Sequence, residues 1–595
     1  MQPLLDLQCV KCHGPIEQKS GLELDTPEAI FKGGDEGQVI VPGKPEESRL
    51  YQYLAPGADP HMPPKKQLSE AERAAVKEWI AALTAAPAPA PKAEDKPVNF
   101  SSIPEAVDQS LPEGWQARKL KPAGPLPEAA WCRRVYLDLA GRIPSEKELE
   151  EFILSPAADK RAALVDRLLA SEEYPVRMRE LWDAILMGRG KRERSEDRRR
   201  DNGWWRFLET AFRTNRPWNE TVHDILTGRP AKEEYQGASW FLYERRNEYQ
   251  QIAEAVAPVV YGTKIDCAQC HDHPLAREIK QAHYWGLVAA YNRSKNVEGG
   301  NQVSESATGG WINFTNLKKE SQPAVITLLT GRTVAENRSD GSQKEEDGPD
   351  KYVDAAAKVK VPKFSRREAF ADAATEENPL LARAFVNRMW AVFFGRGIVH
   401  PADEMNARNA PSHPALLDWL ARDFASHGHD VKRLIRGLVL SRAYGLGTGA
   451  DAPPEAFASA LERPLMAEQV ARSWSVAAGQ PAAADSLRRA VVSALPDVMP
   501  KEYNATFQQA QFLTNSPALA ELLKSAPAVA RVAELPDALS RVRAVFQATL
   551  GREPDAAETQ AAAVFLNDRP DKPAEAVRDL LWALLTGAEF LTAPR

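Results

Sequence analysis

The run "LSEAERAAVKEWIAAL" places Val76, Trp79, Ile80 and Leu83 at helical spacing behind a Ser69/Glu72 capping box, which predicts an amphipathic helix with a defined start. That helix closes a small unit covering residues 1–84. "TAAPAPAPKAEDKPVNF" follows, and its Pro/Ala-rich, charged composition predicts an extended, fairly stiff linker over 85–102. From 103 to 297 the pattern is helical almost throughout. "WCRRVYLDLAGRIPSEKELEEFI" predicts one helix ending at Gly141 and a second capped by Ser145 with Glu148. "YQQIAEAVAPVVYGTKID" and "HYWGLVAAYNR" are two more, leading into and out of a short polar stretch.

Between 298 and 362 the texture turns polar and turn-rich around "PAVITLLTGRTV", whose β-branched residues predict a strand or two in a small β insert with mobile loops. Helical periodicity returns over 363–595, where Pro and Gly separate the helices of an expected bundle. No period of 20 to 50 residues recurs, which argues against a solenoid. The fold class is therefore mainly α: a small N-terminal unit, a helical central domain, a small β insert and a C-terminal helical domain.

The chain has 595 residues, enough for three or four cores. Net charge is only −6, with 43% hydrophobic and 27% charged residues, so nothing in the balance attracts nucleic acid or anionic lipid. No apolar run is long enough to span a bilayer. "KRERSEDRRR" has six basic and three acidic residues and is expected to be a solvated face or loop rather than a docking patch.

Five cysteines change the picture. Four lie in "CVKCHGP" and "CAQCHDHP", as Cys9, Cys12 and His13 and as Cys267, Cys270 and His271. Cys-x-x-Cys-His is the attachment pattern of a c-type haem: two thiols form thioethers with the vinyl groups, and the adjacent histidine becomes the proximal iron ligand. Zinc would pair two Cys-x-x-Cys units at short separation, and a thioredoxin-like redox pair would sit in an α/β setting. Neither matches two distant motifs, each with its own histidine. Two covalently attached haems are therefore expected, on Cys9, Cys12 and His13 and on Cys267, Cys270 and His271. The fifth cysteine, Cys132, lies on an apolar helix face and is expected in the core.

In "DPHMPPKK", Met62 is the expected sixth ligand of the first iron, since Pro63 and Pro64 fix an extended path for its thioether and His/Met ligation suits electron transfer. His61 is its rival. For the second iron His283, His223, His400, His413 and Met405 are candidates, and an open sixth position is an alternative. His273 is expected to bond a propionate or a backbone group, and Tyr284 and Trp285 either line the pocket or form core.

These motifs, with "GLELDTPEAIFKGG", "VPGKPEESRLYQYL", "RRVYLDLAGRIPSEKELEEFI", "NPLLARAFVNRMWAVFFGRGIVHPADEM" and "DLLWALLTGAEFL", resemble the planctomycete-type multidomain cytochromes, in which a cytochrome c-like domain precedes two large planctomycete-enriched domains. Cys9, Cys12, His13 and Met62 match its cytochrome c domain; Cys267, Cys270 and His271 match the motif of its second domain. "LWDAILMGRGKRERSEDRRR" departs from the family, which has a Trp-Leu-Asp-Leu-Ala-Arg-Tyr-like run there.

The resemblance implies an exported protein, periplasmic or at the cell surface, and the nearness of the first motif to Met1 is expected of a chain whose export signal has been removed. It also implies a partner with an alkaline-phosphatase-like or sulfatase-like fold and a setting of polysaccharide breakdown. The leading expectation is a dihaem cytochrome that transfers electrons to or from a redox partner protein. One alternative is a peroxidase- or dehydrogenase-like haem enzyme with the second haem catalytic, aided by Asp272 or His273. The other is a binding scaffold supported by its haems.

Overall fold

A computed structural model describes residues 1–14, 18–83, 99–188, 192–336, 345–376, 378–480, 482–495 and 507–594. Most of the expected linker lies outside them. Among the described residues the architecture is helical, with two small two-stranded antiparallel sheets. Both capping boxes form: Ser69 with Glu72 opens the helix Glu70–Ala82, and Ser145 with Glu148 opens Glu146–Leu154. Each satisfies two backbone amides that would otherwise lack partners at the helix start.

Three hydrophobic cores organise the chain. The smallest collects Leu5, Leu24, Ile30, Leu54, Val76 and Ile80. The largest takes helices from Ile103–Ala117 onward and continues through the helices Arg366–Thr375, Pro379–Phe394, Pro414–Ser426 and Val431–Val439. At its centre the Phe385 ring stacks on Trp182 at 5.2 Å and on Phe424 at 5.0 Å. A third core gathers Trp474, Val545, Phe546 and Leu581. Residues 363–595 thus contribute to two cores, with the division near residue 465.

The strands lie elsewhere than the β-branched run suggests. Ser294–Val297 pairs with Gln302–Glu305, and Asn313–Thr315 with Ser321–Pro323. "PAVITLLTGRTV" instead makes a turn closed by one bridge, Thr327 to Thr333, because Ile326 and Leu328 are drawn into the large core. Burial outweighs β propensity there.

The expected solvated face in "KRERSEDRRR" is also corrected. Arg192–Asp201 is a helix, and Arg199 is only 3% exposed, donating to the Gly188 carbonyl at 2.8 Å and pairing with Glu244. Glu196, also buried, accepts from Arg488 at 2.9 Å. Charge partners distant in sequence make burial tolerable, and a local composition reading does not contain them. Cys132 is fully buried in the large core, where burial pushes its thiol up to about 12. Among the described residues no helix is long and apolar enough to cross a membrane.

Candidate haem sites

The helix Gln2–Gln8 ends at Cys9, and a tight turn follows in which the Cys12 and His13 amides both donate to the Cys9 carbonyl, at 3.1 and 2.9 Å. The turn needs a glycine after His13, because a Cβ on Gly14 would stand 2.3 Å from the Val10 carbonyl oxygen. His13 Nδ1 lies 3.1 Å from the Lys19 carbonyl oxygen, so the Nδ1–H tautomer donates there and Nε2 is left as the ligating nitrogen. Cys9 is half-buried against the small core, and burial pushes its thiol up to about 11.

Met62 packs on the same small core as Cys9, and its amide donates to the Tyr53 carbonyl at 2.8 Å. The loop carrying it is thus tied to the segment preceding it. Beside it, His61 Nε2 is buried with no hydrogen-bond partner. Two free thiols, an anchored imidazole, a thioether on the same core and an orphaned buried nitrogen fit a covalently held haem.

The second motif repeats the device on another scaffold. The helix Tyr249–Tyr261 leads into a 3-10 turn, Asp266–Gln269, with Cys267 and Cys270 exposed and free. His271 Nδ1 lies 2.7 Å from the Asp272 carbonyl oxygen, again leaving Nε2 for a metal. The turn is pinned from behind: the Gln269 carbonyl accepts from Trp285 Nε1 at 3.0 Å and from Gln281 Nε2 at 3.3 Å. Trp285 therefore positions the motif, while Tyr284 is buried and donates to Glu254 at 3.0 Å. Asp272, weighed in sequence as an acid or base, accepts the Gln281 amide and pairs with Lys280 at the start of the helix Gln281–Tyr291.

The histidine candidates separate. His273 Nδ1 accepts the amides of Leu275 and Ala276, the backbone role among the two expected for it. His283 Nδ1 accepts the Lys280 amide; burial lowers the pKa of both rings. His223 is bound up with Asp372 at 3.0 Å and Glu368 at 3.7 Å. His413 sits tilted against the Phe457 ring at 5.8 Å, and burial takes its pKa down to about 4. Met405 comes alongside the approach to the motif: its amide donates to the Gly262 carbonyl, and a Cβ on Gly262 would meet its sulfur at 2.6 Å.

The segments flanking the two motifs are joined by residues no motif includes. His13 presents its carbonyl to the Leu24 amide at 2.8 Å, and Leu24 sits between Glu23 and Asp25. Arg277, in the loop after His271, donates to both carboxylates, at 2.7 Å to Asp25. Nothing in the local sequence pairs them.

Three family models match the chain in order. Residues 9–66 match one described as Planctomycete cytochrome C, residues 106–296 a protein of unknown function (DUF1549), and residues 366–492 another of unknown function (DUF1553). No curated protein and no solved structure matches it.

Proposed function

The chain belongs to the planctomycete-type multidomain cytochromes and bears c-type haem, and from that premise we propose that it is a dihaem electron carrier of the cell envelope, periplasmic or at the cell surface. Haem iron supplies one-electron chemistry. The protein's part is to join the segments flanking two attachment motifs, to fix each proximal imidazole through Nδ1, and to set the polarity around each iron.

The observation that carries this reading is the Arg277 contact. It ties the loop leaving His271 to the segment hydrogen-bonded to His13. Cys9, Cys12, His13 and Met62 would hold the terminal that exchanges electrons with a redox partner protein. Cys267, Cys270 and His271 would hold the second, against the helical scaffold.

The test is a haem count by mass spectrometry with oxidised and reduced spectra, on the wild type and on Cys267→Ala/Cys270→Ala. Two haems falling to one supports the reading. One haem in the wild type would refute the second site. A persistent high-spin signal lost in the double variant favours the second reading, a catalytic second haem, for which the observation is the exposure of Cys267 and Cys270.

A further inference from the structure

The helices carrying Asp138 and Arg177 and the segments 391–404 and 461–469 enclose a cleft of about 550 Å³, within the range of small-molecule sites. It opens next to the second motif, since Lys264 is on its rim and the Lys264 amide donates to the Asp403 carbonyl. Neither cysteine motif lines it.

Its polar lining mixes signs, with Asp138, Asp403, Glu404 and Glu462 against Lys264, Arg177, Arg396 and Arg463, but the buried atoms left without partners are not shared evenly between them. Asp138 is fully engaged, accepting both guanidinium nitrogens of Arg463 at 2.9 Å and the Tyr444 hydroxyl at 2.7 Å. Arg177 is 3% exposed and donates to the Met466 sulfur, while among the described residues its Nε has no partner. Arg396 has a buried, unpartnered Nε and, among the described residues, no carboxylate partner. His400 lies beside Arg396, and burial together with that positive charge lowers its pKa. The unsatisfied buried atoms around the cleft are thus donors, on two guanidinium groups, and a buried donor left unmade is costly. Val392, Leu461 and Leu465 supply apolar wall.

We propose that this cleft binds the carboxylate groups of an organic acid, with Arg396 and Arg177 as the donors and the carbon body against Val392, Leu461 and Leu465. Planar guanidinium forks match carboxylates. The carboxylates have two sources: a diffusible acid, or the propionates of a haem at Cys267 and Cys270. The second source rests on the dihaem reading; the first does not.

Calorimetric titration of citrate into the haem-loaded chain and into Cys267→Ala/Cys270→Ala separates them. Citrate binding by the haem-loaded chain, weakened about tenfold or more in Arg396→Gln, assigns a diffusible acid. Binding confined to the double variant, with the same sensitivity to Arg396→Gln, assigns the propionates. A changed midpoint potential in haem-loaded Arg396→Gln tests that second arm if the double variant does not fold. Among the described residues Arg396 has no ion-pair partner to lose, so Arg396→Gln should keep the wild-type circular dichroism. The proposal is overturned if citrate binds neither protein and the potential is unchanged, if Arg396→Gln changes affinity less than about twofold, or if neutral xylitol binds as well as citrate.

Discussion

Arg277 Nη2 donates to Asp25 Oδ1 at 2.7 Å, joining the loop of the second cysteine motif to the fold of the first across most of the chain's first half. The Asp25 side chain is 1% exposed and that of Arg277 42%, so the guanidinium reaches in from the surface to a carboxylate already withdrawn from water. Such a pair is less screened than one between two exposed groups.

Arg277→Gln should therefore loosen the N-terminal unit. The expected change is about fivefold in the docking equilibrium, on the order of 1 kcal/mol for a half-exposed pair. X-ray scattering should show a larger radius of gyration in the variant, and in the wild type as salt is raised. Unchanged scattering in both would mean the contact does not govern docking.

Met62→Ala should keep its covalent haem but lose the low-spin spectrum of one site. Its midpoint potential should fall by on the order of 100 mV, a modest part of the range axial ligands command. His61→Ala should leave both unchanged; the reverse pattern would make His61 the ligand. Redox titration followed by optical spectra reads both variants.

Thiol chemistry gives an independent check on the sites. In protein made without haem attachment, iodoacetamide should label Cys267 and Cys270 first, Cys9 more slowly because burial raises its pKa to about 11, and Cys132 only after unfolding. Mass spectrometry of timed samples gives the order.

His413 predicts an acid-sensitive step. Burial depresses its folded-state pKa to about 4, below the ordinary value of 6.5, so between these values the unfolded chain binds the extra proton. Stability is then complete above about pH 6.5 and is lost as pH falls toward 4, by on the order of 1 to 3 kcal/mol. The urea midpoint should fall over that window in the wild type and less steeply in His413→Gln.

Asp138→Asn should be strongly destabilising, by about 3 to 5 kcal/mol, because it strands the Arg463 guanidinium opposite a neutral amide in a buried network. A thermal melt would show the main transition at lower temperature. Tyr444→Phe, which removes one neutral donor to the same carboxylate, should cost about 1 kcal/mol.

How much of this was legible in the sequence depends on how far apart the interacting residues lie. The capping boxes at Ser69 and Ser145, the helix into Cys267 and the core position of Cys132 are local patterns, and each appears in the fold. Both Cys-x-x-Cys-His motifs are local patterns too, and in the fold each places its histidine Nδ1 against a backbone carbonyl. Glu23, Asp25 and Arg277, the Gln269 carbonyl held by Trp285 and Gln281, and Arg177 and Arg396 lining one cleft are not local patterns. Each is one ordinary residue whose partner is set by tertiary folding. Arg199 and Glu196 show the converse: a charge-rich run suggests solvent until Glu244 and Arg488 arrive to pair with it.

The stacking of Phe385 between Trp182 and Phe424 has an evolutionary consequence. Trp182 belongs to the first matched segment of unknown function and the other two rings to the second, so either segment alone would present a broad greasy wall to water. Genes carrying these segments should gain, lose or fuse them as one block, and halves produced separately should precipitate unless they are made together.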